Sequence, residues 1–418
     1  MSPNNTSSRA VGEREFIALM AMLMALQALA IDAMLPALGH IAHDLGVSDP
    51  NRRQLVIGVF LVSAGFGSLV PGALADRYGR RPVLLGSLAL YIALSLLCAT
   101  AQDFTMLLVL RAAMAIGSAA LSVLPGAIIR DRFGGDRMAR MMSTIAMIFL
   151  FVPMVAPSIG QLVLLAAGWR WIFVFLAAMA VIVSVWVYLR LDETLHGEYR
   201  QPIHPMTILG NMTTAALNRA AFGYVVGGAL LFGAMFGYIN SSEQLVGEHF
   251  GAGHYFPVIF GATALSMAIA SFSNARIVER FGARRVSHAA LFAFIAVSLV
   301  QVVLSARPGQ TIWQFMPVMA ANMCLIGFIG ANFGSIALQP FARIAGAASS
   351  VQAFLRMVIG SMLGIVIGQA YNGTAHPLAI ALLSSGVISL GLVLFSEKGK
   401  LFRRLNPPGT PRPAMDVH

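Results

Sequence analysis

Long apolar runs alternate along this chain with short polar turns, many of which carry glycine. About 20 apolar residues in a helix cross a bilayer core. Twelve such runs fit, over 16–40, 53–75, 82–101, 104–129, 138–165, 170–190, 220–245, 255–277, 286–305, 313–338, 345–371 and 377–396. Glycine and proline inside them do not count against helix, because membrane helices tolerate both. The longest polar interval, 191–219, begins LDETLHGEYRQPIHP and divides the runs six and six. The pattern predicts an all-α membrane protein with twelve transmembrane helices in two six-helix bundles, 1–190 and 220–396. A cytoplasmic linker at 191–219 joins them, and a basic, proline-rich tail follows at 397–418. The first run is too long for a signal peptide and is expected to persist as helix 1.

The two bundles are expected to be pseudo-symmetric, because a turn repeats at half the chain length. Gly72–Arg81 reads GALADRYGRR; 203 positions on, Asp76, Arg77, Tyr78, Gly79, Arg80 and Arg81 align with Glu279, Arg280, Phe281, Gly282, Ala283 and Arg284. A charged turn repeated between membrane-length runs is the layout of a two-bundle secondary transporter. Gly79 permits a positive-φ turn, and Gly72 is expected to allow close helix approach. The charges can pair in one conformation and separate in another, which biases a rocking motion; the competing role is a solvated loop that only fixes orientation.

Composition narrows the class. The chain is 58% hydrophobic and 11% charged, against about 25% charged for a soluble domain. Its net charge of +11 invites a nucleic-acid reading, which the distribution excludes. Of 28 Lys and Arg, 22 fall on the side of the N-terminus and 4 on the other, while Arg111 and Arg356 lie inside runs. That is the positive-inside asymmetry, placing both termini in the cytoplasm. Cys98 and Cys324, far apart and within runs, give neither metal spacing nor a disulfide framework.

Several segments resemble a known family. PGALADRYGRRP is similar to the loop between helices 2 and 3 of the major facilitator superfamily, and RAAMAIGSAA (Arg111–Ala120) resembles the helix 4 signature of its proton-coupled members. VPMVAPSIGQ (Val152–Gln161) and GWRWIF resemble the helix 5 antiporter signature and the start of helix 6, and DETL (Asp192–Leu195) its end. With IDAMLPAL in helix 1 and AIIRDRFGG after helix 4, the set is most similar to the twelve-helix drug:H+ antiporters of the bicyclomycin/chloramphenicol-resistance type. The resemblance implies proton-coupled export by alternating access across a bacterial inner membrane, and a gating role for Gly72, Asp76, Arg77, Gly79, Arg80, Arg81, Glu279, Arg280, Gly282 and Arg284. In helix 4, Met114 and Ala115 depart from it, standing where the family has glutamine and glycine. In helix 5 the signature keeps Pro157 and Gly160 but has Val152, Ala156 and Gln161 where the family has other glycines; Pro153 and Pro157, at i and i+4, both remove backbone donors and are expected to kink the helix.

Asp32 stands out by position. It lies deep in the first run, where an aspartate costs about 2.5–3.5 kcal/mol to insert, and shares a face with Ala21, Ala25 and Ala28. Desolvation favours the neutral acid there, and a neighbouring cation the carboxylate. A rise of about 1.5 Å per residue brings Asp32 and Arg111 to matching depths, so the pair is expected to couple protons, with Asp32 as carrier and Arg111 as its cationic neighbour. The alternatives are a snorkelling aspartate and a purely structural ion pair. Candidate cavity residues are Met24, Ala28, Met114, Ser118, Asn240, Gln352 and Arg356. The 23 Met and 26 Phe suit a deformable apolar cavity.

The expected function is therefore export of small amphipathic compounds such as antibiotics, exchanged for protons by a monomer in the lipid bilayer, with no cofactor, metal or nucleic acid. A dedicated siderophore or metabolite exporter and a facilitator or importer are the alternatives. An intramembrane enzyme is disfavoured because HExxH, GxSxG and paired carboxylates within one run are absent, and no appended signalling domain supports a sensor.

Overall fold

The computed structural model describes residues 12–133, 135–195, 210, 213–214 and 217–403. Most of the expected linker, the tail from 404, and the Glu279 side chain lie outside the described residues. Among those described, the chain is helical with no strand. In order the helices are α1 (Glu13–Asp32), α2 (Leu38–Asp44), α3 (Leu55–Gly67), α4 (Pro71–Tyr78), α5 (Arg80–Ala99), α6 (Phe104–Gly117), α7 (Ala120–Arg132), α8 (Gly135–Ala167) and α9 (Trp169–Arg190). Then follow α10 (Arg219–Gln244), α11 (Phe256–Phe281), α12 (Ala283–Ser305), α13 (Ile312–Leu338), α14 (Ala345–Gln369) and α15 (His376–Ser396).

Among the described residues, ten helical stretches are long and apolar enough to cross a membrane. The expected second span is the pair α3 and α4, bent by 43° at Ser68–Val70, and the expected fifth is α8, with apolar part Phe151–Ala167. These stretches are consistent with the expected order. Many large apolar side chains face outward, Leu165, Leu189 and Trp313 among them at 74%, 69% and 84% exposure. A surface this apolar is stable against lipid and not against water.

The repeat is visible in the backbone. Gly79 (φ 106°, ψ 157°) separates α4 from α5, and Gly282 (φ 84°, ψ 147°) separates α11 from α12. Both occupy a region that L side chains rarely adopt. The two halves, α1–α9 and α10–α15, meet along α3–α14 and α8–α11. Because α3 corresponds to α11 and α8 to α14 in the repeat, one interface is the symmetry image of the other. Small residues allow the approach: Gly58 and Gly65 face Ile365 and Met357, and a Cβ on Gly261 would lie 3.3 Å from the Met154 carbonyl oxygen. Gly72 does not serve this purpose, because a Cβ there would meet nothing within 4 Å. Pro71 starts α4 with Gly72 on its open side, and the close approach belongs to Gly67, where a Cβ would lie 2.8 Å from Ile116 Cα.

Helix 1 departs from the expected single run. Pro36 lacks the N–H that would bond the carbonyl four residues earlier, that of Asp32. The chain accordingly leaves the α-helix after Asp32, passes through a 3₁₀ turn at Leu35–Ala37 and resumes as α2. Asp32 therefore ends a helix in the interior of the bundle. Gly160 of α8 packs against this break, so closely that a Cβ would overlap the Ala33 carbonyl.

Candidate functional site

At the end of the bundle that carries the repeated turns, three separate sequence segments converge. Arg80 reaches Asp76 at 2.6 Å and Asp131 at 3.0 Å, the latter at the end of α7. Glu193, of the DETL segment, accepts from the backbone N–H groups of Arg80 (2.9 Å) and Arg81 (3.1 Å). It thereby caps the first turn of α5, where the helix dipole favours an anion. Arg81 also donates to the Tyr188 carbonyl at 2.6 Å, while Arg77 stacks beside Tyr78. In the second half Arg284, the counterpart of Arg81, pairs with Glu397 at 2.7 Å and Gln339 at 2.8 Å. Arg280 lies beside the Phe281 ring. Burial raises the Glu397 pKa, but hydrogen bonds from Tyr224 and Arg284 outweigh it and hold the carboxyl below its ordinary value.

The opposite end is closed by polar contacts between the halves. Arg53, on the 3₁₀ turn Pro50–Gln54, pairs with Glu243 at 3.4 Å and with Glu248. Glu248 lies on a π-type turn, Leu245–His249, that continues α10. Gln54 bonds Gln244, and Asn51 donates to the carbonyls of Gln369 (3.1 Å) and Tyr371 (2.7 Å). Asn240, an expected cavity residue, is buried and packs toward Gly368 beside Gln54, so it belongs to this layer.

Between the two ends lies a cavity in two chambers. The one nearer the Arg53 layer, about 300 Å³, is lined by Asp32, Phe232, Met235, Phe236, Phe260, Met267 and Met323. The other, about 440 Å³, extends toward the repeated turns and is lined by Met24, Gln27, Ser68, Ser122 and Ser349. Ala28, Ile31, Leu61, Phe149, Arg356 and Met357 line both. Pro153 of α8 lines the first.

Several expected site residues meet here: Met24, Ala28, Asp32 and Arg356. The Asp32–Arg111 pair does not form. Asp32 has neither hydrogen bond nor ion pair among the described residues, and Arg111 lines neither chamber. Fully buried, Arg111 donates from Nε to the Val56 carbonyl at 3.2 Å and stacks on Phe60 at 4.2 Å. Matching depth fixes one coordinate; the rotation of α6 turns Arg111 toward α3 instead. Met114 accepts from Ser95 and Ser118 bonds its own helix at Ala115, so both support α6 and neither reaches the cavity. Gln352 lines a separate small pocket beside Phe341 and Val351. Ala21 and Ala25 are buried in packing, leaving Ala28 as the part of the alanine face that lines the cavity.

Sequence reasoning missed the aromatic and thioether wall on α10 and the Arg53 layer. Phe232, Met235, Phe236 and Ile239 recur at i, i+3, i+4 and i+7, a readable stripe. Stripes facing lipid have the same composition and period, so the signal alone does not select this one.

Residues 20–368 match the family described as Major Facilitator Superfamily. The chain is 27% identical over 376 residues to a bicyclomycin resistance protein homolog of Haemophilus influenzae, covering 90% of this chain and 94% of that one. It is 31% identical over 372 residues to the multidrug resistance protein MdtL of Klebsiella pneumoniae, with 87% and 91% covered. Among solved structures it resembles a D-xylose-proton symporter (TM-score 0.71, 12% identity, 92% and 98% covered). It also resembles a bacterial homolog of the human lysosomal transporter Spinster in an inward-facing conformation (TM-score 0.66, 14% identity, 93% and 95% covered); these likenesses carry the fold alone. With its many membrane-length helices around a central cavity, the chain belongs to the major facilitator superfamily and is a multi-pass membrane transporter, not an enzyme.

Proposed function

We propose that this transporter exports small amphipathic compounds, antibiotics among them, across the bacterial cytoplasmic membrane in exchange for protons. The observation that carries the reading is the unpaired Asp32 in an apolar cavity between two halves joined by polar contacts at one end. The relatives named for bicyclomycin and multidrug resistance support the substrate class. The repeated turns face the cytoplasm, as the positive-inside asymmetry requires, and both termini lie there. The 1–190 and 220–396 bundles rock about the cavity as a monomer.

In this reading the Arg53 layer is the outer seal, so the cavity is reached from the cytoplasm. Substrate binds while Asp32 is ionised, the halves rock, and the seal opens. A proton arriving from outside neutralises Asp32, weakens the hold on the substrate and releases it; deprotonation inside resets the site. Arg111 keeps its proton and holds α6 against α3, and Arg356 is the cation that shares the cavity. One charge moved across 100 mV contributes about 2.3 kcal/mol, enough for outward concentration by tens-fold at about 1.4 kcal/mol per tenfold.

The test is proton release from acid-loaded inverted vesicles on adding a panel of amphipathic compounds. Release with concurrent uptake of a compound is the expected result. Uptake that neither moves protons nor depends on a gradient overturns antiport in favour of facilitation.

A further inference from the structure

The export reading uses one cavity charge and leaves the second without a task. Arg356 faces both chambers and has neither hydrogen bond nor ion pair among the described residues. Its guanidinium lies 4.8 Å from the Phe232 ring centroid. A guanidinium keeps its proton, and an ionised group at membrane depth is costly unless something pairs with it. Asp32 lines the first chamber from the other half and is equally unpaired. Two opposite charges thus face one apolar cavity without meeting each other.

We propose that the transported compounds are zwitterionic amphiphiles, with a cationic group against Asp32, a carboxylate against Arg356, and an aromatic body among Phe232, Phe236 and Phe260. The proposal rests on the export reading and names its substrate class. Charge matching is the first argument. A simple cation satisfies Asp32 and is repelled by Arg356; a simple anion meets the reverse, and a zwitterion matches both. Exchange is the second. A proton on Asp32 displaces an ammonium group, as antiport requires, whereas it would strengthen binding of a simple anion.

Geometry gives the orientation. The guanidinium fork suits a bidentate carboxylate and stands at the junction of the chambers. On the loop side of that junction Gln27, buried and without a hydrogen bond among the described residues, supplies a further amide donor. The carboxylate end therefore points toward the repeated turns, and the aromatic body lies in the more apolar chamber.

The test uses the full-length protein in lipid nanodiscs at fixed neutral pH. Binding is measured for a piperazinyl quinolone carboxylate, a zwitterion, and for its ethyl ester, a cation of nearly the same shape. The wild type is expected to bind the zwitterion at least about tenfold more tightly, a difference within reach of one charge-assisted pair. Arg356→Gln is expected to weaken the zwitterion by that factor while the ester, freed of the repulsion from Arg356, binds no more weakly than to the wild type, and Arg356→Lys to keep part of the preference. A wild-type ratio of threefold or less (about 0.7 kcal/mol) overturns the proposal whether or not a variant folds. Equal weakening of both probes by Arg356→Gln does so too, since it reveals a packing role. Proton-coupled ester export without zwitterion preference sinks this proposal alone; zwitterion preference without proton coupling sinks only the export reading.

Discussion

Arg53 of the first half and Glu243 of the second stand 3.4 Å apart, Nε to Oε2, with both side chains largely buried. The same guanidinium pairs with Glu248, so one arginine ties two carboxylates across the interface. Removing one partner of a buried pair costs about 3–5 kcal/mol, and the cost falls on the closed arrangement alone. Arg53→Gln is therefore expected to shift the population toward the form open at that end by more than about tenfold. A single cysteine at Ile239, on the cavity wall, then labels faster from the outside. An unchanged labelling rate would show that the layer does not hold the closed form.

Asp32→Asn removes the only carboxylate that lines either chamber among the described residues. Proton-driven accumulation is expected to vanish while downhill exchange continues, and substrate binding loses its dependence on pH. A variant that still pumps against a gradient places the carrier elsewhere, with Glu243 the next residue to test.

Within the charged cluster the two acids facing Arg80 are unequal. The Asp131 side chain is 17% exposed and that of Asp76 51%, and exposed pairs contribute about 0–1 kcal/mol. Asp76→Asn is expected to lower turnover with substrate affinity largely intact, and Asp131→Asn to lower it further, since Thr194 also donates to Asp131 at 3.3 Å. Equal turnover in wild type and both variants reduces the cluster to an orientation signal.

Gly160→Ala drives a methyl group into the backbone of Ala33, at the break that follows Asp32. Overpacking costs about 1–3 kcal/mol where neighbours can shift, and backbone shifts less readily than a side chain. A clear fall in thermal stability is expected. Gly86→Ala, where nothing lies within 4 Å, serves as the control and should melt as the wild type does.

Glu397 gives a pH prediction with a definite sign. Its folded-state pKa is depressed, so its contribution is complete above the ordinary glutamate value of about 4.3 and is lost as pH falls through the folded value. Acidification within that range is expected to destabilise the wild type more than Glu397→Gln. Parallel melting curves across it would exclude a linked contribution from this group.

The sequence by itself determined the all-helical membrane fold, the order of the long apolar runs and the position of the repeated turns. These follow from long apolar runs, charge asymmetry and a glycine-bearing turn, and Gly79 adopts the expected positive φ, as does its counterpart Gly282. It also marked Asp32 and Arg356 as site residues, because a charge in an apolar run is conspicuous wherever it points. Tertiary structure alone decided which way each helix is rotated. Lipid and protein interior are both apolar, so periodicity leaves the lipid-facing and cavity-facing stripes of α10 indistinguishable. It also leaves Arg111 with a depth and no direction, and only packing turned that residue onto Val56 and Phe60. The Arg53–Glu243 pair spans 190 residues of chain, a contact that depends on how the two halves meet and that no local pattern encodes.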